Sequence, residues 1–135
     1  MDDLVASVIK TAIEGSALST AISGKLQRSD APQSWTAPYG VFHGLVAEPQ
    51  SAKTRAGNGI DDTSMRFTFY TVSGPDSDKL TELCRILFDG LHLTLSDGSK
   101  IKLNRQKIWF AVRDEERPDT GYYRASIDFQ YFRQY

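Results

Sequence analysis

The chain has 135 residues, of which 40% are hydrophobic and 24% charged, with a formal net charge of −1. That length suits one domain, able to bury about two-thirds of its unfolded surface, and the composition excludes wholesale disorder. The near-neutral charge argues against a generic grip on nucleic acid, and the single cysteine, Cys84, excludes an internal disulfide and a cysteine-built zinc cluster.

The opening Met1-Asp2-Asp3-Leu4 is acidic where a secretory leader would be basic, and no apolar run approaches membrane-spanning length. A soluble, cytoplasmic chain of one domain over 1–135, with no membrane contact, is the expectation. Leu4, Val5, Val8, Ile9, Ala12 and Ile13 recur at helical spacing, with Asp2 or Asp3 placed to cap the start and Gly15 to end it. Ser16 can cap a second, short helical turn that carries Leu18 and Ile22 and closes at Gly24. Lys25 to Arg28 reads as a short extended piece, and Ser29 to Pro38 as turn.

From Tyr39 to Ala47 the residues turn aromatic and β-branched, which predicts a strand. Pro49 to Thr63 has one large apolar residue, Ile60, and cannot offset its ordering entropy by burial; a long flexible loop or a hairpin arm is predicted there. Met65, Phe67 and Phe69 then alternate with polar partners as a strand. Gly74-Pro75-Asp76 starts the strongest helix, whose stripe runs through Leu80, Leu83, Cys84, Leu87, Phe88 and Leu91, with Gly90 near its end. Leu83 and Leu87 are expected in the main contact, facing Phe67, Phe69, Ile127 and Phe129.

Asp97-Gly98 lies between Leu93-Thr94-Leu95 and Ile101-Lys102-Leu103, a hairpin signal. Ile108, Phe110 and Val112 alternate along a further strand. The last strand sets Tyr123, Ala125, Ile127, Phe129 and Tyr131 on one face, and Tyr122, Arg124, Ser126, Asp128 and Gln130 on the other. The predicted class is α+β: a mainly antiparallel sheet with two main helices packed on one face. Its exposed edges are expected near Tyr39 and Tyr131.

No catalytic constellation emerges. His43 and His92 lack a second histidine at ligand spacing, so neither a metal nor a cofactor is expected. Cys84 sits on the apolar stripe of its helix and reads as a small buried hydrophobe. The carboxylate runs Asp114-Glu115-Glu116 and Asp61-Asp62 fall where loops are predicted, and solvated turns are their usual home. Gly57-Asn58-Gly59 lacks the lysine and hydroxyl residue of a phosphate loop. Lys53 and Arg55, with Lys100, Lys102, Arg105 and Lys107, could meet phosphate, but a solubilising strand edge is the favoured account of them.

The order of small signals carries more. Leu18, Ile22, Gly24, Lys25-Leu26-Gln27, Ala31-Pro32 and Pro38-Tyr39-Gly40-Val41 open the chain. The aromatic strand Phe67–Tyr70 and the helix Leu80–Leu91 follow, and Pro118-Asp119-Thr120-Gly121 turns into Arg124…Ile127-Asp128-Phe129 at its end. This layout, over nearly the whole chain, resembles the tail-completion (tail-terminator-like) proteins of long-tailed bacteriophages. The resemblance implies a structural virion protein that assembles with itself as a ring, commonly hexameric, at the head-proximal end of the tail, having been made in the host cytoplasm. Its partners would be the tail-tube protein and a head-completion or connector protein, with genome DNA passing through the lumen without specific binding. Another head–tail or tail-tube component, and a non-viral protein-binding α+β module, are the alternatives. Within this reading Lys53, Arg55, Asp61 and Asp62 of the loop are the expected contacts with a neighbouring subunit or the tube.

Overall fold

The computed structural model describes residues 3–29, 31, 32, 34–49 and 60–134. Helix α1 (Asp3–Ile13) and the short α2 (Ala17–Ala21) precede strand β1 (Leu26–Arg28). The long strands β2 (Tyr39–Pro49) and β3 (Ile60–Thr71) follow, then helix α3 (Gly74–Phe88). β4 (His92–Thr94), β5 (Lys100–Arg113), a single 3₁₀ turn (Pro118–Thr120) and β6 (Tyr123–Gln134) complete the chain. Among the described residues, one six-stranded sheet in the order β1-β2-β3-β6-β5-β4 holds every strand, and only β1 and β2 pair in parallel. The α+β class is as the sequence indicates.

Local chemistry sets the boundaries. Ser16 caps α2 by accepting from the Ser19 amide at 3.1 Å, and Ser73 caps α3 by accepting from the Asp76 amide at 3.3 Å. Gly90 takes a left-handed φ of +79° just past α3, which therefore stops at Phe88 rather than reaching Leu91. Gly40 answers a different need: a Cβ there would lie 2.8 Å from the Phe69 ring, so β1 and β2 close over that ring only because the position has no side chain.

The helices share one core with one face of the sheet. Val5, Ile9 and Ile13 of α1, Leu18 of α2, and Leu80, Cys84 and Phe88 of α3 meet Phe42, Met65, Phe67, Phe69, Ile127 and Phe129. Phe88 stacks on Phe67 with centroids 5.2 Å apart, and Phe129 stands edge-on to both. Leu83 and Leu87 flank this contact and stay partly exposed; the core line of α3 is instead Leu80, Thr81, Cys84 and Phe88, with Ser77 beside it. The stripe read from spacing was wide enough to hold both lines, and the sheet took the one that offers the phenylalanine.

Three further expectations are narrowed or changed. The ladders continue to Pro49↔Asp61 and Ile60↔Gln134, so of the loop and the hairpin arm expected over 49–63, Pro49 and residues 60–63 fit the arm, as paired strand ends. Backbone pairing with β2 on one side and β6 on the other holds that end without needing large apolar residues. Residues 50–59, and Lys53 and Arg55 with them, lie outside the described residues. Second, Tyr39 and Tyr131 are not at free edges: β1 pairs with Gly40–Phe42, and β6 lies between β3 and β5. Third, Phe110 and Val112 do not join Ile108 in the core. β5 bulges by one residue between Arg105 and Lys107 and again between Trp109 and Val112, and each bulge reverses which residues face the helices.

Candidate functional site

The sheet's second face carries no helix among the described residues, and its side chains line up in three cross-strand rows. The first is Tyr39, Tyr70, Arg124 and Val112; the second Val41, Thr68, Ser126 and Trp109; the third His43, Arg66, Asp128 and Lys107. Each row draws one residue from each of β2, β3, β6 and β5, so the period of two in four strands builds the surface.

Its centre is a tight polar knot. Asp128, only 6% exposed, accepts from Arg66 Nε at 2.7 Å and Nη2 at 3.0 Å, and from Trp109 Nε1 at 3.3 Å. The two-pronged pairing is the strong form of the carboxylate–guanidinium contact. The Trp109 ring holds the Lys107 ammonium 3.8 Å from its centroid and the Arg66 guanidinium at 5.4 Å. Next to the knot, the Thr68 and Ser126 hydroxyls bond at 3.0 Å. His43 titrates below the ordinary histidine value because partial burial and the Arg66 charge disfavour the imidazolium, with Asp128 opposing them.

Toward the β5 side this face turns apolar and exposed. Trp109 is 43% exposed, Val112 55% and Phe110 74%. They border a cleft of about 280 Å³ whose other walls include Arg66, Arg124 and Ser126. The adjoining backbone edge is occupied at two points: Asp89 accepts from the Arg105 amide at 2.9 Å, and Asp78 of α3 from the Ala111 amide at 2.7 Å.

A second cleft, about 340 Å³, opens at the Tyr39 end between Ser29, Ala31, Tyr70 and Arg117. Tyr39 stacks on Tyr70 at 5.0 Å, and the Arg117 guanidinium lies 4.8 Å over the Tyr70 ring. Arg117 Nε donates to Asp114 Oδ2 at 3.3 Å. Asp114 is 1% exposed and its Oδ1 has no partner among the described residues. The sequence placed Asp114 in a solvated turn with Glu115 and Glu116; only those two are exposed. Asp114 follows directly on β5, and its amide bonds Tyr122 O at 2.9 Å, which draws it inward.

Of the residues expected to make contacts, Asp61 and Asp62 lie on β3, at register positions opposite Pro49 and Glu48. Cys84 is fully buried, and burial pushes its thiol well up, so it stays protonated and inert. His92 stands on β4, across the sheet from His43. No group of three or more His, Cys, Asp or Glu able to hold a metal occurs among the described residues, and no described helix is long and apolar enough to cross a membrane. The Arg66–Asp128–Trp109 knot escaped sequence reading, although opposite charges at the centres of two alternating strands were its signal. The five-residue apolar run from Ile108 to Val112 was another, because a strand cannot turn five successive side chains to one core.

No protein-family model and no curated protein sequence matches the chain. Among solved structures it matches a chain of the virion of a native gene transfer agent particle, with a TM-score of 0.69 at 13% identity. The alignment covers 99% of this chain and 100% of that one, so what the two share is a whole fold rather than a fragment.

Proposed function

We propose that this chain is a structural protein of a phage or phage-derived particle, and that it forms a ring at the head-proximal end of a long tail. In this role it ends growth of the tail tube and offers the surface to which the filled head joins. Its partners are further copies of itself, six to a ring, the tail-tube protein and a head-completion or connector protein. Genome DNA passes through the lumen without specific binding, which a chain of net charge −1 favours, since sticky phosphate contacts would oppose sliding. Lys53, Arg55, Asp61 and Asp62, on the segment joining β2 and β3, contact the neighbouring subunit or the tube.

The observation that carries this reading is the end-to-end likeness to a chain of a virion, in both directions of coverage. A sheet with an exposed aromatic patch supports it, since large apolar patches on small domains mark contact surfaces. The test is electron microscopy of particles from a producing strain that lacks the gene. Overlong tails and unjoined filled heads are the expected products, restored to whole particles by the gene in trans. Normal particles at normal yield would overturn the proposal; tubeless particles would move the chain to the tail tube.

A further inference from the structure

We infer that the open face of the sheet receives the outer side of helix α3 from a second copy of this chain, with Ile86 entering the cleft beside Trp109, Phe110 and Val112. The inference rests on the ring reading above and says which surfaces meet. A match between two surfaces on opposite sides of one sheet carries it.

The donating surface follows from helical spacing. Ile86 lies two residues from both Cys84 and Phe88, which are fully buried, so it points about 200° around the helix from them. It is 64% exposed and faces away from the core. Local preference does not explain it, because a β-branched side chain loses rotamer freedom in a helix and the outer side ordinarily carries polar residues. Glu82, a turn before it, and Asp89, a turn after it at the C-cap, are both exposed. With its C-cap, α3 carries Asp76, Asp78, Glu82 and Asp89 against Lys79 and Arg85, four acidic residues to two basic. That excess already includes the Glu82–Arg85 pair.

The receiving surface has the opposite sign. Arg66 and Arg124 line the cleft with Trp109, Phe110 and Val112, and Lys107 lies against the Trp109 ring. The carboxylate among them, Asp128, is 6% exposed and is taken up by Arg66 and Trp109. Glu116 comes within 3.7 Å of Arg124, too far for a hydrogen bond. The cleft of about 280 Å³ has room for an isoleucine side chain. An apolar anchor inside a rim of opposite charges is the layout of a specific contact, in which the rim steers and registers the partner.

A polyanion would answer the cations and leave Phe110 and Val112 in water, whereas the outer side of α3 answers both. Asp78 and Asp89 fix α3 along β5 by accepting the Ala111 and Arg105 amides, so the donating surface is held rigidly to the sheet. Because α3 lies on the covered face and the cleft opens on the other, a copy that uses one surface keeps its second free. Two unlike surfaces meeting in this way form a head-to-tail contact, which closes into a ring when the rotation permits.

The experiment is a charge swap read by sedimentation velocity. Glu82→Lys reverses the donating side, Arg124→Glu the receiving side, and Ile86→Asp removes the anchor. Thermal unfolding checks that each variant is folded, and Lys107→Glu replaces Arg124→Glu should that one fail. The wild type is expected to associate. Each charge variant alone is expected to lose association by about tenfold or more, as like-charge contacts do, and an equal mixture of the two to regain it with both in the assembly. Ile86→Asp is expected to lose it as well, and the inference fails if that variant associates like the wild type. A wild type that associates, with variants that all associate equally well, would overturn this inference, give the open face to another partner and leave the ring reading intact. Charge variants that stay apart when mixed would show that these two surfaces do not meet. A wild type that remains monomeric up to its solubility limit would overturn the inference and the ring together.

Discussion

Phe88 and Phe110 are the same side chain set on opposite sides of one sheet. Phe88 is fully buried under α3, in ring contact with Phe67 and Phe129, whereas Phe110 is 74% exposed on β5. The helix-covered face is held by apolar packing, which depends on shape and area. The open face is held by directed polar contacts: a two-pronged ion pair, an indole donor and a hydroxyl pair. The first face gives the chain its fold. The second has order without cover, and that combination makes it the place to look for function.

The largest expected effect lies on the covered side. Phe88→Ala removes a ring from the centre of the aromatic cluster and leaves a cavity that the stiff sheet cannot close, costing about 3–5 kcal/mol. Denaturant unfolding checks it. A loss below about 1 kcal/mol would mean that the cluster re-packs freely and that the covered face is not the main source of stability.

Asp128→Ala should have an intermediate effect. It strips the acceptor from Arg66 and from Trp109 Nε1 in one step. Because the Arg66 side chain is 32% exposed, water can replace the lost partner in part, and the expected cost is about 1–3 kcal/mol. The near-ultraviolet circular dichroism of Trp109 should change with it, since the indole loses its anchor. Unchanged stability and an unchanged tryptophan signal would make the knot an ornament of the open face rather than its brace.

How far the sequence discloses each face follows from the same contrast. Alternation in β3 and β6 showed which residues point to the core, because burial on one face leaves a period of two in the chain. The Asp97-Gly98 hairpin and the Ser16 cap were legible for a similar reason: each needs only neighbours in sequence. β5 was not, since its two bulges reverse the pattern twice and neither leaves a glycine or proline to announce it. The burial of Asp114 was hidden as well, because a carboxylate run reads as solvated whatever the backbone around it does. The open-face knot joins residues 62 positions apart in sequence, Arg66 and Asp128, so only strand order brings it together. The expected contact residues divide in the same way: Asp61 and Asp62 are placed by the β3 register, while Lys53 and Arg55 lie outside the described residues.

The smallest expected effect is the sharpest test of the comparison. Phe110→Ala makes the same chemical change as Phe88→Ala, but at a ring that contributes little to the core. In dilute solution, where the subunit is alone, the change should shift stability by no more than about 0.5 kcal/mol in either direction. The reason is that the ring's exposed area is already in contact with water, so its removal neither opens a cavity nor returns much apolar surface to solvent. If the two substitutions cost the same, Phe110 must be packed against something in the free subunit and the open face is not open. If Phe110→Ala is neutral in dilute solution yet lowers the melting temperature at high concentration relative to the wild type, stability has become linked to association at that ring. Thermal unfolding of both variants at two concentrations separates these outcomes and assigns the exposed phenylalanine to a partner rather than to the fold.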